Sequence, residues 1–326
     1  GLGDVYKRQG QSLVLGVQQS TLGLVERTND PGQFDITIGA PGSPAVPVTG
    51  LITGGDLGGV LRYRDQVLVP AMNDLGRLAI ELGTFMNDQH RAGVSLDGLP
   101  GLDLFSVASP QVSPDAGNGG SIAVSFDDVS QLTADDYRLG YDGAAWTLTR
   151  EGSGQVVPMT GTGTVADPFV AEGIRISVGA GGLAGDAYTV RPTRDGASSF
   201  SVLTGNPREL ALAAPVAGSA ALSNAGTGQI SGLVVTDINN PAFQSPPGTL
   251  TPPVLVRFTS PTAYEVVDQN TSAVIDTGTY DPATGADIFP TANLGIDHGY
   301  QARITGNPVA GDEFSISYNT GGTADN

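Results

Sequence analysis

Between Leu57 and Met86 the apolar residues recur at intervals of three and four: Leu57, Val60, Leu61, Val67, Leu68, Ala71, Met72, Leu75, Leu78, Ala79, Leu82, Phe85 and Met86. That is the period of a helix with one greasy side, and only Arg64 interrupts it. A helix over 56–91, entered through Thr53-Gly-Gly-Asp56 as a cap, would run ~54 Å at ~1.5 Å per residue. Such a length belongs to a rod or coiled-coil element more than to an ordinary globular core. Pro70 removes one backbone hydrogen bond and costs about 3 kcal/mol in an ideal helix, so a kink or a break into two segments is expected there. Gly76 and Gly83 lie one heptad apart and each costs roughly 1 kcal/mol against alanine, which predicts that another helix packs closely on that side. The rest of the chain offers one short candidate, Asn206–Ala214, with Asn206 as N-cap and Pro207 in the first turn. The apolar side of the long helix therefore looks for a partner elsewhere.

Around this helix the texture is β. Short runs at Ser12–Leu15, Leu22–Glu26 and Phe34–Ile38 are separated by turn residues such as Asn29-Asp-Pro-Gly32. Alternating strands follow at Ser121–Phe126, Tyr137–Tyr141, Ala145–Thr149, Gly173–Val178 and Asp186–Val190. The plan then recurs: Val254–Phe258 answers Ile122–Phe126, Ala263–Val267 answers Asp136–Leu139, and Ala310–Ile316 answers Ala184–Val190, which predicts a second copy of one β module. The expected organisation is α+β and multidomain: a long kinked helix with a small β region, then two mainly antiparallel β modules. The boundaries are a leader foreign to the rest of the chain over 1–9, a core domain over 10–106, a first outer β domain over 107–215, a linker over 216–250, a second module over 251–320 and a remainder over 321–326, which the family resemblance described below implies to be the start of a further helical region.

Composition narrows the chemistry. Among 326 residues there are 26 Asp and 7 Glu against 14 Arg and one lysine, Lys7, a formal charge of −18. A chain so acidic has little with which to displace counterions from a phosphate backbone, so nucleic acid is not expected as a partner. The absence of cysteine excludes disulfides, thiol nucleophiles and Cys-ligated metals. A single lysine in the opening stretch excludes a P-loop or Schiff-base lysine elsewhere. No apolar tract is long enough for membrane insertion. Aromatic residues are only 6%, which predicts thin cores of Val, Leu, Ile and Ala.

The motifs that could carry chemistry are weak. Gly179-Ala-Gly-Gly-Leu-Ala184 matches a loose dinucleotide fingerprint but runs into a strand, so it lacks the helix N-terminus that would hold a phosphate and reads as a Gly-rich hairpin. His90 and His298 are the only histidines and neither sits at metal-ligand spacing; His90 is placed to meet the carbonyl end of the long helix. Asp127-Asp128 and Asp135-Asp136 could form a calcium site or a carboxylate pair, against the simpler reading of Asp-rich turns. No catalytic constellation, cofactor site or metal site is expected.

Three blocks resemble a known family, the flagellar hook-associated protein FlgK. Gly54-Gly-Asp-Leu-Gly-Gly-Val-Leu61 with Arg64-Asp65 is similar to the family's entry to its long helix. Asn87, Gln89, His90, Gly93, Leu96, Asp97, Gly98, Gly101 and Phe105 are similar to its exit. Gly306–Phe314, ending in Ala324-Asp-Asn326, resembles the stretch leading into its C-terminal helices. The resemblance implies a non-enzymatic structural subunit joining hook to filament, exported by the flagellar type III system to the extracellular flagellum. It implies as partners the hook protein, a second junction protein, copies of itself in a ring, and an export chaperone through a C-terminal segment. It also implies terminal helical segments that would cover the apolar side of the helix, so Leu57, Leu61, Leu68, Met72, Leu75, Leu78, Leu82 and Phe85 are the expected assembly face. The other readings are a secreted β-sandwich module binding glycan or calcium on a helical stalk, and a polysaccharide hydrolase with two facing carboxylates.

Overall fold

A computed structural model of the chain describes residues 7–8, 11–12, 14–15, 18–27, 30–39, 44–244, 248–289 and 297–322. The predicted helix is there, from Gly55 to Arg91, but it is neither broken nor capped as expected. Gly54 is its N-cap and makes no side-chain capping bond. After an α segment Gly55–Tyr63, residues Arg64–Leu68 form a π turn in which the Val69 N–H reaches back to the Arg64 carbonyl. The α segment Val69–Arg91 follows without interruption. In an ideal helix Pro70 would collide with the Gln66 carbonyl and leave it unpaired; the wider turn just upstream opens the ladder there, which is how the helix passes a proline. No helix among the described residues is long and apolar enough to cross a membrane.

The chain divides into two units, residues 1–82 with 107–200 and residues 83–106 with 201–326, and the helix contributes to both. In the first, the hairpin Thr21–Arg27 with Asp30–Gly39 pairs Leu24 with Ile36 and Leu22 with Ile38, and Val46–Pro47 adds a third strand. Asp30–Gly32 are strand where a turn is expected; Asn29 lies outside the described residues, as do most of the proposed leader and Ala324–Asn326.

The first β module stacks two antiparallel sheets. One runs in the order Val156–Val157, Trp146–Arg150, Tyr137–Tyr141, Ala187–Arg191, Gln111–Pro114; the other Phe169–Ala171, Ile174–Val178, Ile122–Phe126. Tyr137, Leu139, Leu148, Ile174, Ile176 and Val190 close their shared core, into which Ile80 of the helix also inserts.

The second module repeats this order strand for strand: Val274–Thr279, Ala263–Asp268, Val254–Ser260, Glu313–Tyr318, Val216–Ala220, and Ala286–Ile288, Tyr300–Thr305, Gln229–Val235. The repeat is therefore real, but its register differs from the sequence expectation. Val254–Ser260 occupies the place of Tyr137–Tyr141, not of Ile122–Phe126, and Ala263–Asp268 the place of Trp146–Arg150. The expected linker 216–250 is not a linker: it supplies the first two strands, and Ala242, Phe243 and Leu250 are in the core. That core is not the lean aliphatic one predicted either. Phe258 meets Tyr280 and Phe314 edge-to-face, with ring centroids 5.1 and 5.9 Å apart, so the few aromatics are concentrated here.

Candidate functional site

The long helix presents two unlike sides. Gly58 is buried near its start, and from Val69 onward Asn73, Gly76, Ile80, Gly83, Asn87 and His90, themselves spaced three and four apart, are the buried ones. The apolar residues point the other way: Leu68, Met72, Leu75, Leu78, Leu82 and Phe85 are 42–67% exposed. Of the remaining expected face residues, Leu57 and Leu61 are half-buried, whereas Val60, Tyr63 and Val67 are exposed. The π turn accounts for this, since each extra residue in a turn rotates the stripe by one position.

The inward side is held by polar and backbone contacts. Within the first unit the Asn73 amide donates to the Ala134 carbonyl at 2.9 Å and to Asp136 Oδ1 at 3.0 Å, and its oxygen accepts from Arg194 Nε at 2.8 Å. Burial pushes the Asp136 carboxyl above the usual carboxylate range, against the opposing pull of Arg194 and Arg191. Gly76 lies against a loop, not against another helix: a Cβ there would sit 1.8 Å from the Thr193 carbonyl oxygen.

Within the second unit the helix exit is a knot of the family-motif residues. Asn87 Oδ1 accepts from the Leu104 and Phe105 N–H groups, each at 2.9 Å, and its amide donates to the Phe105 carbonyl at 2.8 Å. His90 Nε2 accepts from the Ala211 N–H at 2.8 Å while Nδ1 bonds the Leu102 carbonyl, which fixes the proton on Nδ1. His90 thus bridges two loops and does not serve the end of its own helix. A Cβ at Gly93 would meet the Ala211 oxygen at 2.2 Å, and one at Gly98, where φ is +72°, the Thr320 oxygen at 2.4 Å. Asp97 pairs with Arg208, Phe105 is half-buried and Gln89 is exposed. Asn206 caps only a single 3-10 turn, Pro207–Glu209; the expected helix stops there because Ala211 and Ala213 are committed to His90 and to a bridge with Val94.

The other candidates have ordinary partners. Asp127 pairs with Arg175, Asp128 caps a turn through Ser130, Asp135 pairs with Arg150 and Asp136 with Arg194. Among the described residues no three metal-ligating side chains converge. In the Gly179–Ala184 turn the Leu183 N–H is bonded by the carboxylate of Asp186, which also takes the Gly119 and Gly120 N–H groups. The inward amide and glycine side was missed by reading apolar residues alone, although its own three-and-four spacing was visible in the sequence.

A helix anchored by amides and glycines with its leucines turned out, in a chain whose other elements include two sandwich modules, defines a structural protein with an open apolar side. Two family models match it: the flagellar hook-associated protein FlgK helical domain over residues 1–105, and a D2-like domain of flagellar hook-associated protein 1 over 112–192. Flagellar hook-associated protein 1 of Escherichia coli K12 is 29% identical over 217 residues, 65% of this chain and 39% of the relative. The Salmonella typhimurium protein of the same name is 30% identical over 209 residues, 63% of this chain and 37% of the relative. A solved structure, the flagellar hook junction protein FlgK from Burkholderia pseudomallei, superposes with a TM-score of 0.72 at 30% identity, covering 97% of this chain and 63% of that one. The chain belongs to the flagellar hook-associated protein FlgK family. It spans about two fifths of the length of the curated relatives it matches.

Proposed function

We propose that this chain acts as part of a non-catalytic structural subunit of the bacterial flagellum, an adapter that joins hook to filament outside the cell after export by the flagellar type III system. Its partners are then the hook protein, a second junction protein and copies of itself in a ring, with an export chaperone acting on a C-terminal segment. The names of the relatives, hook-associated and hook junction, support this reading. The observation that carries it is the exposed stripe Leu68, Met72, Leu75, Leu78, Leu82 and Phe85. The matching family model is described as a helical domain, and among its described residues here a single long helix stands with its apolar side uncovered. Apolar residues recurring along a helix in this way are covered in an assembled state by other helices.

The test is made in the full-length protein of a motile host. Leu75→Asp and Leu82→Asp should each abolish incorporation at the junction, with filaments lost and swimming absent, while Leu75→Met retains both. Normal filament attachment with either aspartate would refute the proposal.

A further inference from the structure

Four charged side chains are buried where three parts of the first unit meet. Asp30 opens the second strand of the N-terminal hairpin, Asp136 stands just before the strand Tyr137–Tyr141, Arg191 ends the first module's last strand and Arg194 follows it. Arg191 lies 3.4 Å from Asp30 and 3.7 Å from Asp136, while Arg194 lies 3.7 Å from Asp30 and pairs directly with Asp136. Each arginine therefore faces both aspartates, and all four side chains are at most 12% exposed. The long helix completes the set through Asn73, whose amide donates to Asp136 and whose oxygen accepts from Arg194. Two cations and two anions balance; Glu151, the next carboxylate near Arg191, is exposed and keeps its water.

Little apolar contact holds the module to the helix. Among the described residues Ile80 is the helix's one contribution to the module core. The rest of the seat is backbone: Gly76 lies against Thr193, and a Cβ at Gly196 would sit 2.3 Å from the Gly76 oxygen. Charges held in this way have no stable halfway state. Together each is compensated, and apart each is hydrated. With one partner withdrawn the others stay buried and uncompensated, which is the costly arrangement. The duplication shows that the module fold does not demand these charges. Asp186 and Asp312 take the same turn N–H groups in the two modules. Five and eight residues after Asp186 stand Arg191 and Arg194; five and eight after Asp312 stand Ser317 and Thr320. Tyr137 pairs with Val190 as Val254 pairs with Ile316, which sets Pro253 in the place of Asp136. The second module is thus built strand for strand without any of the three. We infer that Asp30, Asp136, Arg191 and Arg194 form a latch that, with Asn73, fastens the first module and the hairpin to the long helix. It closes and opens as a whole, so the module can leave its seat without unfolding.

Hydrogen exchange of the full-length protein, read by mass spectrometry, tests this. In Asp30→Asn, exchange should rise about a hundredfold, and together, in two stretches far apart in sequence, the hairpin strand Asp30–Gly39 and the loop 192–199. Trypsin should cut after Arg194, which is buried in the closed latch, faster by a similar factor. Exchange in the module strands Trp146–Arg150 and Ile174–Val178 should stay as in wild type. Asp30→Asn combined with Arg191→Met removes one charge of each sign, and should bring both stretches back to within about tenfold of wild type. A rise confined to the hairpin, or no rise at all, would overturn the inference, since the charges would not act as one. So would a double variant no better protected than the single one. Exchange rising throughout the module strands would overturn it as well, because the charges would then hold the module's fold and not its seat.

Discussion

Asp312 repeats in the second module the three backbone hydrogen bonds that Asp186 makes in the first. Asp186 accepts from Gly119, Gly120 and Leu183; Asp312 accepts from Ala225, Gly226 and Val309. Beside each, an asparagine side chain pairs with the next residue's backbone in both directions, Asn118 with Ala187 and Asn224 with Glu313. The clasp ties the turn after each module's first strand to the turn before its last, and it is the same in both copies.

The clasp predicts acid sensitivity. The N–H groups of Leu183, Gly119 and Gly120 hold the Asp186 carboxyl below its usual range. At Asp312 burial works to raise it, and the N–H groups of Val309, Ala225 and Gly226 outweigh that. A carboxyl lowered in the folded state stabilises fully above its unfolded value of about 3.9, and that contribution is lost as pH falls below it. Calorimetry from pH 6 to 2.5 should show the loss. Asp312→Ala, which removes the carboxylate that the N–H groups of Ala225, Gly226 and Val309 share, should cost about 2 kcal/mol in urea melts at pH 7 and flatten the acid slope.

His298 predicts a second, milder window. It is buried against Phe289 and Tyr300, and desolvation lowers its pKa against the opposing pull of Asp276 and Asp297. A histidine lowered in the folded state is held neutral, so its stabilisation is complete above the unfolded value of about 6.5 and declines as pH falls below it. Thermal melts at pH 7.5 and 5.5 should differ in wild type and converge in His298→Phe; an unchanged difference would place the titration elsewhere.

Two helix glycines should respond oppositely to alanine. At Gly76 the added Cβ meets the Thr193 oxygen at 1.8 Å, so Gly76→Ala should cost about 3 kcal/mol or prevent the loop from seating. At Gly59 nothing lies within 4 Å, so Gly59→Ala should gain about 0.5–1 kcal/mol. Circular dichroism melts of the two variants decide it.

The knot at the helix exit is open to hydrogen exchange. His90→Phe leaves the Ala211 N–H and the Leu102 carbonyl without their partner, and should cost about 2–4 kcal/mol while the Ala211 amide loses protection. Asn87→Asp keeps the acceptor for Leu104 and Phe105 but turns the donor toward the Phe105 carbonyl into a second acceptor, so it too should destabilise.

The helix, its apolar stripe and the duplicated β module were legible in the sequence because each is a periodic pattern. Which side of the helix faces inward was not, because Asn73, Asn87 and His90 are satisfied by residues far along the chain, Asp136, Arg194, Phe105 and Ala211, that no local window contains. The match of Ala310–Ile316 to Ala184–Val190 was right, but the two strands Val254–Phe258 and Ala263–Val267 were placed one strand out, because Val216–Ala220 and Gln229–Val235 sit in a stretch of Ala, Gly and Ser that resembles a linker. The pairing of Asn118-Gly-Gly with Asn224-Ala-Gly, each answered by a Gly-Asp, would have set it right. The family-motif residues were found by resemblance, and their packing explains why those residue types stand there.

Because the helix keeps its amides and glycines inside and its leucines outside, the usual guide to mutational tolerance is turned over along its length. For the folding of this chain by itself, Leu75 and Leu78 are the replaceable positions and can be made polar to keep it dispersed at high concentration. Asn73, Gly76 and Asn87, which a hydropathy profile would pass over, are the ones that must not change.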